Sequence, residues 1–398
     1  MRIVATCLLM LLLIAVPHPA PAEPEVVFTR ADGAAMTADQ IDTTVRKLMQ
    51  AGRVPGLALA LIADGRIAYL KAYGMADTQA GRPLQTDTVM YGASLTKAAF
   101  AWMVMTLVDD GVVDLDRPIG EYLPKPLPQY ADYTDLAGDD RWRLWTLRML
   151  LSHQSGLPNW RWFSESQRLA IIFEPGSRYA YSGEGYQVAQ LTLEEGLGLN
   201  VNELMQKRVF DRFGMDRTSM TWREDFRPNF AHGYAEDGRD LGHNARRSVH
   251  VAGSMDTTVA DFATFLAGVL RGARISPEAR SEMLSPQVRV TARHQFPTQS
   301  PEDTDANRAI ELSYGLGWGL FRSPFGPAFF KEGHDDGTNN YALCLDQAKR
   351  CILILSNSSN GEGIFLYLVD ALMGRTDLPW EWEGYVPYDR QAVKPGTG

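Results

Sequence analysis

The chain has 398 residues, 45% of them hydrophobic and 22% charged, with a formal net charge of -9. That balance is ordinary for a globular protein with a sizeable core, and it excludes a disordered or low-complexity chain. No Lys/Arg run or basic stripe is present, so neither nucleic acid nor an anionic membrane is an expected partner.

Residues 1–22 read as a signal peptide: Arg2 supplies the positive start, Ile3 to Val16 the apolar stretch, and Ala20-Pro21-Ala22 a small-residue cleavage site. The apolar stretch is shorter than the roughly 20 residues a membrane span requires. The expectation is an exported protein, periplasmic or extracellular, with no membrane insertion after cleavage. Helical spacing follows over 38–52 (Ile41, Val45, Leu48, Met49). Strand-like runs then follow at Leu57–Ile62 and Ile67–Tyr73, with an Asp64-Gly65 turn between them. Ser94 to Val108 is apolar nearly all round, the pattern of a helix buried on every side. Further helices are predicted at about 146–152, 164–172, 184–196, 201–213 and 259–270, and residues 292–310 read as a polar surface loop. The β pattern returns at Tyr314–Phe321, Ala328–Glu332, Asn340–Leu345 and Cys351–Ser356, before a closing helix at Gly361–Met373 and a polar tail over 386–398. Strands at both ends of the chain can join one sheet. The prediction is therefore α/β (α+β): an antiparallel sheet flanked by helices, with a large helical insert. One domain would span 23–385, its sheet part about 38–93 and 310–373 and its helical part about 94–300.

Cys344 and Cys351 flank a short hairpin connection, which would set their sulfurs opposite each other. An oxidising compartment favours a disulfide there; two buried thiols are the alternative. The seven histidines are scattered and no metal-ligand spacing appears, so no metal or other cofactor is expected.

Ser94-Leu95-Thr96-Lys97 opens the buried helix. Residues three apart share a helix face, so the Lys97 amine can reach the Ser94 hydroxyl. Burial and the positive end of the helix both disfavour an ammonium, and a neutral lysine can activate a serine. The bland alternative has Ser94 as a helix cap and Lys97 snorkelling to solvent. The other common serine-hydrolase pattern, G-x-S-x-G, fails at Thr96.

Further segments stand in a consistent order: Leu150-Leu151-Ser152-His153-Gln154-Ser155-Gly156-Leu157-Pro158, Glu174 through Tyr181-Ser182, Val251-Ala252-Gly253-Ser254-Met255, Tyr314-Gly315-Leu316-Gly317-Trp318, and Gly333-His334-Asp335-Asp336-Gly337. With Ser94–Lys97 they resemble the β-lactamase-related serine hydrolases: class C β-lactamases, D-stereospecific peptidases, penicillin-binding proteins and the related esterases. The resemblance implies that Tyr181 belongs to a Tyr-x-Asn motif, acting as a phenolate or a proton shuttle. It also places His334 in the third motif, Lys-Thr-Gly or His-x-Gly. The Gly337 amide would be the second oxyanion donor beside the Ser94 amide. Gly183 stands where that second motif has Asn, and Asp336 where the third has Gly. Asp335 and Asp336 would repel a substrate carboxylate, which leaves esters and substrates with a free ammonium. Trp160, Trp162 and Phe163 form an aromatic cluster that either lines a substrate pocket or packs as core or lid. The resulting expectation is a monomeric serine hydrolase acting through an acyl-enzyme on a small-molecule or peptide substrate. Esterase or D-peptidase ranks ahead of efficient β-lactamase. A non-turnover penicillin-binding or sensor protein of the same fold is the rival.

Overall fold

The computed structural model describes residues 25–298 and 302–391. The stretch read as a signal peptide and the end of the polar tail lie outside the described residues. Helix α1 (Ala38–Gly52) is held at its start by a capping box, in which Thr37 and Gln40 bond each other's backbone reciprocally. Strands β1 (Gly56–Ala63) and β2 (Arg66–Asp77) form the hairpin turned by Asp64-Gly65. Then come the buried helix α2 (Leu95–Asp109), the short helix α3 (Leu147–Leu151), α4 (Gly183–Leu191) and α5 (Val259–Arg271). Strands β3 (Gly319–Ser323), β4 (Gly326–Asp335), β5 (Thr338–Leu345) and β6 (Arg350–Ser356) follow, and α6 (Glu362–Met373) closes the fold.

These strands form an antiparallel nine-stranded sheet, ordered Val288–Arg289, Ser313–Tyr314, β3, β4, β5, β6, β1, β2, Arg82–Pro83. The two ends of the chain meet where β6 pairs with β1. Alternation along β1 divides the interior. Leu57, Leu59 and Leu61 face one core with α1 and α6, while Ala58, Ala60 and Ile62 face a second core with α2 and α5. The chain is therefore three layers, helices on both faces of one sheet. The β5–β6 register sets Cys344 opposite Cys351, and the two form a disulfide.

Four features differ from the sequence expectation. The run 164–172 is not helical: Leu169 and Ile171 are buried while Ala170 and Ile172 are exposed, the period of two of an extended chain. The strand expected over Tyr314–Phe321 is two strands, because a loop closed by the Gly315 amide bonding the Trp318 carbonyl reverses the chain. Gly317 in that loop has φ of 84° and packs where a Cβ would stand 2.5 Å from Ala101 on α2. Residues 292–310 are not simply a surface loop, since Gln295 is buried. The first residues of the tail dock on α6, where the Tyr388 amide bonds the Gly363 carbonyl. A β-hairpin at Val26–Thr29 and Ala35–Thr37 and a helix at Pro277–Met283 were not anticipated.

Candidate active site

Ser94 precedes the first turn of α2, and its side chain makes no capping hydrogen bond. Ala93 before it holds a left-handed φ of 46°, an uncommon conformation for a residue with a Cβ. The Ser94 hydroxyl is thus free for chemistry. Lys97 does not reach solvent, being 1% exposed. Its Nζ lies 3.0 Å from Ser94 Oγ and donates to the Ala252 carbonyl at 2.6 Å. That carbonyl is presented by the Val251–Met255 turn, which the Ser254 hydroxyl fixes by bonding Met220 O and accepting from the His250 amide. Burial, then the positive charge of Lys331, push the Lys97 amine well below its ordinary value, and Glu332 offsets this only in part. A neutral amine donating to Ala252 keeps its lone pair for the Ser94 proton.

Tyr181 stands over this pair, with Lys97 Nζ 4.8 Å from its ring centre. It leads into α4 through Ser182, whose hydroxyl caps that helix at the Gly185 amide. Behind it lies His153, fully buried, with ring centres 4.2 Å apart. The His153 Nδ1 accepts from the Ser182 amide at 3.0 Å. Burial above all, with the charge of Lys331 adding to it, holds the imidazole well below its ordinary range and therefore neutral. Burial and Glu332 push the Tyr181 phenol well above its usual value, with Ser94 pulling the other way. The resting group is a phenol, so of the two expected forms the phenolate is disfavoured.

The third motif lies three residues earlier than the sequence reading placed it. Lys331, Glu332 and Gly333, on β4, are the residues beside Tyr181 and α2. Lys331 is fully buried, and its Nζ donates to Tyr181 Oη at 3.2 Å and to Glu332 Oε1 at 2.6 Å. At Gly333 a Cβ would stand 2.6 Å from the Gly92 carbonyl, so only glycine allows β4 this close to the start of α2. Gly337 is not an oxyanion donor: it sits in the two-residue β4–β5 turn, and its amide is spent on Ser359 Oγ at 2.8 Å. The pair that closes such a turn, Asp335 with Thr338, is hydrogen-bonded, so the next amide along β4, that of His334, points to the opposite edge. Beyond Phe330 no strand among the described residues covers that edge. The His334 ring is paired with Glu362 instead of serving as the motif's cation. Burial alone would lower its pKa, but Glu362, Asp335 and Asp336 outweigh this and raise it.

Ser94, Lys97, Tyr181, Glu332, His334 and Glu362 line one open cavity of about 950 Å³. Asp335 and Asp336 stand exposed at its rim. Trp160 and Trp162 stack with centres 4.8 Å apart and form another wall with Phe163. The loop carrying them is clamped by Arg161, which bonds Glu184 of α4 through its amide and its guanidinium. The Trp160 ring also explains Gly183, because a Cβ there would stand 2.6 Å from the indole. The indole takes the space an asparagine side chain would enter.

Lys331, His153 and Gln295 were missed as site residues by sequence reasoning, whereas Glu332 was noted only as a carboxylate preceding Asp335 and Asp336. The Lys-x-Gly spacing of Lys331 and Gly333 was a usable signal for the lysine. One trio among the described residues, Asp77, His232 and Asp240, brings possible metal-binding atoms within 4.8 Å of one another. Asp77 there already accepts two backbone amides and faces Arg82, and the trio does not line the cavity.

The Beta-lactamase family model matches residues 41–372. The chain belongs to that family. Relatives include a lovastatin esterase from Penicillium rubens, 28% identical over 75% of this chain and 80% of its own length. Esterase EstB from Burkholderia gladioli is 35% identical over 41% of this chain, and the match spans 38% of that esterase. A β-lactamase from Yersinia enterocolitica is 23% identical over 72% of this chain and 70% of its own length. Among solved structures, an octameric penicillin-binding protein homologue from Pyrococcus abyssi superposes with a TM-score of 0.68 at 21% identity, covering 86% of this chain and 78% of that one. The D-alanine carboxypeptidase AmpC from Burkholderia cenocepacia gives 0.66 at 20% identity, covering 85% and 99%. These neighbours share the fold, an antiparallel sheet with helices on both faces. The family is one of serine hydrolases, with esterases, β-lactamases and penicillin-binding proteins among its members.

Proposed function

We propose that the protein is an esterase or D-amino-acid peptidase working through an acyl-enzyme on Ser94. The observation that carries this reading is the buried Lys97 amine, lowered in pKa and 3.0 Å from the Ser94 hydroxyl at the head of α2. Lys97 takes the hydroxyl proton as Ser94 Oγ attacks the substrate carbonyl. The amides of Ser94 and His334 hold the tetrahedral oxyanion, each donor lowering the barrier by about 3 kcal/mol. The Tyr181 phenol, bonded to Lys331, passes a proton to the leaving group. Water then repeats the cycle in reverse and releases the acyl group. No cofactor is required by these steps.

Two features favour esters and substrates with a free ammonium over β-lactams. Trp160 fills the space beside Gly183, where an asparagine would otherwise bond an acyl amide. Among the described residues the cavity wall carries Glu332, Asp335, Asp336, Glu362 and Glu383 and no arginine, an unfavourable field for a substrate carboxylate. The Cys344–Cys351 disulfide supports an oxidising, extracytoplasmic location.

The test is the initial rate of p-nitrophenyl butyrate hydrolysis by the protein and by Ser94→Ala. Turnover that falls to background in the variant is the expected result. Equal rates for the two proteins would refute the assignment. A penicillin adduct on Ser94 that never clears would favour a binder over a hydrolase.

A further inference from the structure

The floor of the cavity carries a charge deficit that the hydrolytic machinery does not use. Glu383, the last residue of the short helix Trp380–Glu383, is 5% exposed, and Glu332 is 4% exposed. Both line the cavity that holds Ser94. Each has one oxygen spoken for: Glu332 Oε1 by Lys331 and Gln295, and Glu383 Oε2 by the Tyr341 hydroxyl at 3.0 Å. The other oxygen of each, Glu332 Oε2 and Glu383 Oε1, is buried with no hydrogen-bond partner. A buried carboxylate oxygen left in this way is costly, and native interiors rarely keep one without a use.

Burial disfavours a charge on Lys97, which leaves Lys331 as the ammonium set against the two carboxyls among the described residues. Burial, then the nearness of Glu332, push the Glu383 carboxyl well above its ordinary range. A proton on Glu383 would make good the deficit. A ligand carrying one positive charge would do so better, by giving both free oxygens a donor. An ammonium, with three N–H donors and no acceptor, matches two carboxylate oxygens.

We infer that Glu383 and Glu332 form a subsite for a primary ammonium on the acyl part of the substrate, which makes aminoacyl esters and amides the preferred class. This inference rests on the cavity being the hydrolytic site, and it specifies which substrates enter it. The rim aspartates are too exposed to act as the selective element; the two buried glutamates are that element. The aromatic wall of Trp160 and Trp162 would cover the apolar part of the same substrate.

The test separates binding from turnover. Calorimetric titration of the full chain with n-butylammonium is compared with n-butanol, its neutral counterpart. The ammonium should bind at least tenfold more tightly, and Glu383→Gln should bring the two affinities together. Equal affinities in the unaltered protein would overturn the proposal whether or not the variant folds. In a second arm, kcat/KM for D-alanine p-nitroanilide should exceed that for propionyl p-nitroanilide at least tenfold. A measurable rate without that preference would also overturn it. Preferential ammonium binding with no turnover of either anilide would uphold the subsite while counting against the hydrolase reading.

Discussion

Replacing Lys97 by methionine tests the protonation state on which nucleophile activation depends. In the folded chain, burial and the charge of Lys331 hold this amine well below 10.5. In the unfolded chain it returns to about 10.4. Between those two values the unfolded chain binds one more proton than the folded one. The stability of the unaltered protein therefore rises with pH across that window, by about 1.4 kcal/mol per pH unit. Lys97→Met abolishes that contribution. Orphaning the Ala252 carbonyl adds an offset of about 1–3 kcal/mol, but this does not change with pH. Relative to the unaltered protein, the variant should therefore lose up to about 2.7 kcal/mol between pH 7 and pH 9. Tyr181 adds nothing over that range, because its folded pKa lies above an ordinary value of 10.0. The assay is urea denaturation of both proteins at pH 7, 8 and 9. A difference independent of pH would mean that Lys97 keeps its proton in the folded state, and the general-base role would fall with it. In the same variant, kcat/KM for p-nitrophenyl butyrate should drop by about 10²–10⁴.

Tyr181→Phe keeps the ring packed on His153 but removes the proton path; kcat should fall about 10²–10⁴, read as the steady-state rate of p-nitrophenol release. Gly183→Ala drives a Cβ to 2.6 Å from the Trp160 indole. It should cost about 1–3 kcal/mol of stability by denaturation, and most of that loss should vanish in a Trp160→Ala background. Replacing Cys344 and Cys351 together by alanine opens a link across seven positions of sequence. It should cost about 2.5 kcal/mol by urea denaturation. Ester hydrolysis should be unchanged, because the pair sits at the end of the β4–β6 strands away from Lys331 and Gly333.

The fold was legible wherever pattern alone decides structure. The hydrophobic period of α1, the all-round apolar α2 and the alternating strands on either side of Asp64-Gly65 are local signals, and each element stands where its pattern puts it. The failures came where tertiary contacts override a local run. Leu169 to Ile172 is too short for its period to be read, and the core selects an extended form by burying alternate residues. Gly315 to Trp318 reads as strand, but it must turn so that Gly317 can meet α2. Ser94 and Lys97 were legible because one helical turn fixes their relation. Glu383 and Gln295 were not, because only the folded chain brings segments so distant in sequence to the same cavity as Ser94.

The third motif shows how a register error of three residues distorts a chemical reading. Anchored on His334, the pattern made Asp336 a departure and Gly337 an oxyanion donor. Anchored on Lys331, both disappear: Asp336 and Gly337 are simply the turn, with Gly337 at φ of 75° and packed against the Gly233 backbone. A real departure takes their place. The middle position of the motif is Glu332, a buried carboxylate bonded to the motif's own lysine. A neutral residue there would leave the Lys331 ammonium free to attract a substrate anion. Glu332 neutralises it and leaves one oxygen over, and Glu383 adds a second. The same residue type that makes Lys331 unavailable to a carboxylate therefore turns the cavity toward a cation, so the loss of one specificity and the gain of the other have a single structural cause.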